Sequence, residues 1–164
     1  EVVVLDAGRV VAQGAPREVL ADPEVVALEE GDGFKNLLPC RVVSHRGATT
    51  EVRLGENGGP LRLLTPSAAA APGSEVLVAI PAHEIIIALG RPEGISALNV
   101  LPGRVREIRA LGNDRLVTAQ VDAGGPPLTA KVTDLACETL GLEPDLPVYL
   151  IIKTAACQLV ADDD

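Results

Sequence analysis

Two short strings in this 164-residue chain carry side chains that could hold an anion without a metal. One is Ile95-Ser96-Ala97-Leu98-Asn99 and the other is Ile152-Lys153-Thr154-Ala155-Ala156. Each combines small residues, a hydroxyl and an amide or ammonium donor at the expected end of a strand. An oxyanion needs convergent N–H and O–H donors, and small side chains let the backbone approach it. A tetrahedral dianion could take several such donors while Lys153 offsets part of its charge. An earlier stretch, Gly33-Phe34-Lys35-Asn36, supplies another cation and another amide. Taken alone, Ser-x-x-Asn and Lys-Thr-Ala are also ordinary loop strings, and the residues themselves leave that reading open.

Other chemistries find little support. His45 and His83 share no metal-ligand spacing with each other or with a cysteine, so they read as surface residues and no metal site is expected. Cys40, Cys137 and Cys157 are far apart and set in apolar surroundings, as buried reduced thiols of a cytosolic protein would be. Arg104, Arg106 and Arg109 read as a solvated strand face. No nucleophile, base and orienting acid can be grouped, so no catalytic residue is assigned. The longest apolar stretch, Glu75–Leu89, is broken by Pro81, His83 and Glu84, and no segment is long enough to span a bilayer. With 14 Lys+Arg against 23 Asp+Glu, and one Phe and one Tyr, the chain lacks the basic groove and stacking platforms of a nucleic-acid binder. The net charge of −9 is uneven: −5 in residues 1–30, 0 in 31–90 and −4 in 91–164, three of these last from Asp162-Asp163-Asp164, which reads as a frayed acidic end.

The candidate strings recur because the chain repeats. Asn36-Leu37-Leu38-Pro39-Cys40-Arg41-Val42 returns sixty-three positions later as Asn99-Val100-Leu101-Pro102-Gly103-Arg104-Val105. Gly58-Gly59-Pro60 returns as Gly124-Gly125-Pro126, Thr65 is matched to Thr133, and Val76–Ile87 to Val148–Leu159. In this alignment Lys35 is equivalent to Leu98, and Pro81 to Lys153. Branched-residue runs between Gly, Asn, Asp and Pro clusters predict strands near 39–46, 49–55, 60–65, 75–81 and 84–88 in the first copy. In the second they fall near 101–109, 114–122, 127–132, 147–153 and 157–161. A helix over Leu135–Leu140, capped by Thr133 or Asp134 and stopped by Gly141, is expected, with an equivalent turn opened by Pro66. The fold class is therefore mainly β: two tandem OB-like five-stranded barrels, over 33–90 and 94–161, each with a short helix. Residues 1–30 precede them as a β-hairpin (Val2–Leu5 and Arg9–Ala12) and a short helix over 17–29.

The opening string VVVLDAGRVVAQGAPREVLADP resembles the C-terminal end of the nucleotide-binding domain of ABC transporter ATPases. That resemblance implies an upstream ATPase domain. The chain has no Met and begins at Glu1, which reads as a fragment or processed chain. It contains no G-x-x-x-x-G-K-[ST] phosphate loop, so no ATP hydrolysis is expected of it.

The later string ISALNVLPGRV, with LTAKVTDLA and LGLEPDLPVYLIIKTAACQLV, resembles a Mop domain, also described as a TOBE domain. That family opens S-A-R-N-x-L-x-G-x-V, carries T-A-x-V-T in mid-chain and ends near I-K-A-S-x-V. Ser96, Ala97 and Asn99 match the opening, Thr129, Ala130, Val132 and Thr133 the middle, and Lys153 the end, where Thr154-Ala155 replaces Ala-Ser. Leu98 stands where the family often has Arg and cannot imitate a guanidinium fork. The paired copies after an ATPase end are similar to the regulatory tail of the ATP-binding subunit of molybdate importers. The resemblance implies molybdate or tungstate as ligand, homodimerisation through the barrels, a membrane permease reached through the ATPase domain, and a cytoplasmic position at the inner membrane. The implied site residues are Ser96, Ala97, Leu98, Asn99, Lys153, Thr154, Ala155, Lys35, Asn36 and Thr133. One pocket combining Lys35 and Asn36 with Lys153 and Thr154, within a chain or across a dimer, is expected. Two other readings stand beside it: a non-binding dimerisation module of an importer for another substrate, favoured by Leu98, and an oxyanion store.

Overall fold

Branched residues at the chain start form a two-stranded antiparallel hairpin, β1 (Val2–Asp6) and β2 (Arg9–Gly14), with a bulge between Val4 and Leu5. The computed structural model describes residues 2–6, 9–15, 19, 34–55 and 59–160. The helix expected over 17–29 lies outside them except for Val19, as do Asp162–Asp164. Residues 1–34 and 35–164 are two separate compact units.

In the second unit, alternation of side chains across the pleat builds the core. β3 (Lys35–Arg46) buries Asn36, Leu38, Cys40 and Val42, and β4 (Thr49–Leu54) buries Thr50, Val52 and Leu54. β5 (Arg62–Pro66), β6 (Glu75–Pro81) and β7 (Ile85–Ala88) complete the first copy. The second copy supplies β8 (Asn99–Leu111), β9 (Asp114–Val121), β10 (Pro127–Thr133), β11 (Pro147–Ile152) and β12 (Gln158–Val160). Single-turn 3₁₀ segments, Ala82–Glu84 and Thr154–Ala156, join β6 to β7 and β11 to β12. The long strands β3 and β8 each bulge at the same repeat position, between Val42 and Ser44 and between Val105 and Glu107. A bulge bends the strand, so its two halves pair with different neighbours: β6 then β4, and β11 then β9.

The sheets do not follow the repeats. One has the order β12-β6-β3-β4-β5 and the other β10-β9-β8-β11-β7. Each copy thus gives its last strand to the other: β7 pairs with β11, Ile86 opposite Ile151, and β12 pairs with β6, Leu159 opposite Val78. The sheets curl until β7 approaches β10 and β12 approaches β5, but no ladder closes either curl. A single aliphatic core runs through both, with Leu63, Val78 and Ile80 from one copy and Leu128, Leu150 and Ile152 from the other fully buried.

Two expectations change. The helix of the second copy, α1 (Asp134–Leu140), is present: Thr133 Oγ1 accepts from Ala136 N–H at 3.1 Å, and Gly141 ends it at φ 59. The first copy has no counterpart, because Pro66 and Pro72 leave only Ser67–Ala71 between them, too short to offset helix nucleation. That segment is instead pinned by Thr50 Oγ1, which accepts from Ala68 N–H at 2.9 Å, and by His45, whose Nε2 lies 3.0 Å from Ala70 O. The match of Thr65 with Thr133 also fails. Thr65 is a fully buried strand residue, whereas Thr133 is an exposed helix cap.

Candidate oxyanion site

Asn99 opens β8 opposite Ile152, the last ladder pair between β8 and β11. One step further out, Leu98 and Lys153 leave the ladder on facing chains, both exposed, Leu98 to 63%. The chain then turns through Thr154–Ala156, held by Ala156 N–H to Lys153 O (3.0 Å) and Cys157 N–H to Thr154 O (3.1 Å). This turn packs against β5 of the other sheet.

Asn99 fastens the three pieces. Its Oδ1 accepts from Leu64 N–H at 2.8 Å, its Nδ2 donates to Leu64 O at 2.9 Å, and Nδ2 also reaches Cys157 Sγ at 3.7 Å. The other copy mirrors this: Asn36 Oδ1 accepts from Thr129 N–H at 2.7 Å, and Nδ2 donates to Thr129 O (2.9 Å) and Ile80 O (3.2 Å). Leu64 and Thr129 are therefore the true repeat equivalents. Both asparagines, expected as ligand donors, have spent their amide protons within the fold and act as clasps between the sheets.

The remaining expected residues separate. Ser96, Ala97, Leu98, Lys153, Thr154 and Ala155 gather where β8 begins and β11 ends. Lys35 stands opposite Pro81 at the matching junction of the other sheet, next to Asn36 and the turn Ala82–Glu84. Within one chain the two cations thus stand at the ends of two different sheets. Thr133 lies at the far end of β10 from Thr129, committed to capping α1. The junctions also differ chemically: Lys153 and Thr154 are matched by Pro81, which has no N–H, and by Ala82.

One atom at the Lys153 junction lacks a partner. Thr154 Oγ1 is buried and makes no hydrogen bond. A buried hydroxyl without a partner costs about 1–3 kcal/mol. Its chain neighbour Lys153 is exposed, and Ala97, two residues before Asn99, is half-buried. Thr154 was among the residues expected from the sequence, but its burial without a partner is visible only in the structure. Among the described residues no cluster of His, Cys, Asp or Glu could hold a metal ion.

The three cysteines are buried and free, as expected. Burial pushes the Cys157 thiol up to about 11, and burial, then the neighbouring Cys157, pushes Cys40 up to about 12, both from 9.0. Because the folded state resists ionisation, this contribution to stability is intact below pH 9 and is lost as pH rises toward 11–12. Urea midpoints are expected to fall between pH 9 and pH 11 in the native chain and to fall less in a Cys40→Ala, Cys157→Ala variant. Equal slopes in the two proteins would refute this.

Residues 95–159 match the TOBE domain family. The chain is similar to molybdenum import ATP-binding protein ModC of Rhizobium etli, 35% identical over 96% of this chain and 43% of that protein. It is likewise similar to ModC of Albidiferax ferrireducens, 35% identical over 95% and 41%, and to ModC 1 of Azotobacter vinelandii, 32% identical over 94% and 42%. The chain therefore spans less than half the length of these curated relatives. A crystal structure of the cytoplasmic molybdate-binding protein ModG with molybdate bound is also similar, with a TM-score of 0.66 and 26% identity over 76% of this chain and 94% of that one.

Proposed function

We propose, from the match of residues 95–159 to the TOBE domain family, that this chain is the oxyanion-binding regulatory module of a molybdate importer's ATP-binding subunit. Molybdate or tungstate is the ligand, taken at the junction of Ser96–Leu98 with Lys153–Ala155. The observation that carries the reading is the buried, unpartnered Thr154 hydroxyl beside the exposed Lys153. Ser96 supplies a further donor, and Asn99 holds the segments in place. The module forms a homodimer through its sheets, acts with an ATPase domain and through it a membrane permease, and works at the cytoplasmic face. Among the described residues no helix is long and apolar enough to cross a membrane. Its own role is binding rather than catalysis. Ligand regulates only by binding one arrangement of the dimer more tightly than another.

Thermal melting with molybdate, tungstate, sulfate and phosphate tests the reading. A ligand at one hundred times its Kd adds about 2.7 kcal/mol, or roughly 5–10 °C for a chain of this size. Molybdate and tungstate are expected to raise Tm, and sulfate and phosphate to leave it in place. Lys153→Ala and Thr154→Val each lower molybdate affinity about tenfold, equivalent to 1.4 kcal/mol. Absence of any shift with all four anions would remove the proposal. A second reading, a dimerisation module without ligand, draws on Leu98, which places an exposed apolar side chain opposite Lys153. A dimer that forms equally with and without molybdate, and binds none, would establish it.

A further inference from the structure

On the outer face of the first sheet, residues from four adjacent strands stand in register: Glu75 on β6, Arg41 on β3, Arg53 on β4 and Arg62 on β5. Like charges directly opposite on neighbouring strands destabilise a sheet. The two outer arginines are relieved by acids, Arg41 Nη2 lying 2.7 Å from Glu75 Oε1 and Arg62 Nη1 2.7 Å from Glu51 Oε1. The central Arg53 has no ion pair and no hydrogen bond among the described residues, and its Nε is buried. Residues 31–90 carry only five cations, and three of them stand in this row.

Residues one or two positions from the row line a cleft of about 210 Å³. Pro39 precedes Arg41 on the same face, Gly55 follows Arg53, and Leu61 precedes Arg62. The buried Leu54, Pro60 and, from the second copy, Pro126 complete its apolar wall. The volume suits one aliphatic side chain. Strands lie about 4.8 Å apart, so the three guanidiniums stretch over about 10 Å, a line rather than a cup. A single small anion cannot engage such a line, whereas carboxylates spaced along an extended chain can. A concave apolar feature offers no protruding side chains to a bilayer, and the row has no aromatic platform for bases.

We propose that this face, Arg41–Arg53–Arg62 with the adjoining cleft, docks an acidic polypeptide segment of a partner protein. One aliphatic side chain enters the cleft, and the carboxylates that follow it lie along the arginines, one satisfying Arg53. The surface uses none of the residues of the oxyanion junction, so it stands or falls independently of that reading.

The test is an NMR titration of the isotope-labelled 164-residue chain with the probe acetyl-Leu-Glu-Glu-Glu-amide, in parallel with acetyl-Leu-amide and inorganic phosphate. Saturable shifts at Gly55, Gly59, Leu61, Gly125 and the Arg53 side-chain N–H are expected with the acidic peptide alone. Arg53→Gln should weaken that binding about fivefold, near 1 kcal/mol, while Arg106→Gln on the other sheet leaves it unchanged. The proposal is overturned if the peptide gives no saturable shift up to about 10 mM, a Kd range worth less than about 2.7 kcal/mol. It is equally overturned if phosphate reproduces the shifts, or if Arg53→Gln binds like the native chain.

Discussion

Residues 94–161, produced alone, are expected to give no folded monomer. Sequence similarity marks this stretch as a self-contained second copy, yet its sheet takes β7 from the first copy. Without β7, the ladder to Tyr149–Ile152 of β11 is lost, and with it the burial of Ile85 and Ile87, 2% and 7% exposed. Fully burying one such side chain contributes roughly 1.5–3 kcal/mol, so two, at about 3–6 kcal/mol, reach the lower end of the 5–15 kcal/mol stability of a typical domain. At the same time β12 loses its partner β6, and Asn99 loses Leu64. The fragment should remain unfolded, or assemble into dimers and larger species in which β12 of one copy fills the place of β7 in another. Light scattering coupled to size exclusion, with circular dichroism, distinguishes these from the alternative. A monomer that unfolds cooperatively would mean that β12 can fold back onto its own sheet, and would sink the expectation.

Asn99→Leu is expected to cost about 2–4 kcal/mol, the sum of two part-buried backbone groups of Leu64 left without protein partners, each toward the lower end of about 1–3 kcal/mol, and of imperfect packing around the new side chain. Leucine fills the volume, so the loss isolates the hydrogen bonds rather than a cavity. Asn36→Leu should do the same through Thr129. Because the clasps hold different strand pairs of one core, the double variant should lose more than either single change. Urea unfolding at constant protein concentration measures all three. A loss below about 1 kcal/mol for Asn99→Leu, within the range of a solvent-compensated hydrogen bond, would show that water replaces the clasp. If the oxyanion reading holds, Asn99→Leu also weakens molybdate binding, since Ser96–Leu98 and Thr154 then lose their common anchor.

The strand pattern was largely legible. Ten strands expected in the two copies are found within a few residues of their predicted positions, because branched side chains at alternate positions and Gly-Pro turns act locally. The cap pair Thr133 and Gly141 was legible for the same reason: each satisfies backbone groups only a few residues away. The missing first-copy helix was a matter of available length between two prolines, which similarity between the copies hid. The oxyanion residues divide by range. Leu98 and Lys153 flank the last ladder pair of β8 and β11, Asn99 with Ile152. Lys35 was grouped with them because repeat alignment compares equivalent positions without saying which equivalents touch.

The sequence by itself determined the mainly β class, the duplication, the aliphatic core and the buried thiols, since each follows from composition or from contacts a few residues long. Only the tertiary structure decided that β7 and β12 change places, that the asparagines clasp backbone across the two sheets, and that one threonine hydroxyl stays buried without a partner. The physical reason is degeneracy. β7 and β12 follow equivalent 3₁₀ turns and present the same alternation, so either sheet edge would accept either strand. The path of the chain through the turns Ala82–Glu84 and Thr154–Ala156, and the shared core those turns must cover, select one pairing from two that the sequence writes alike.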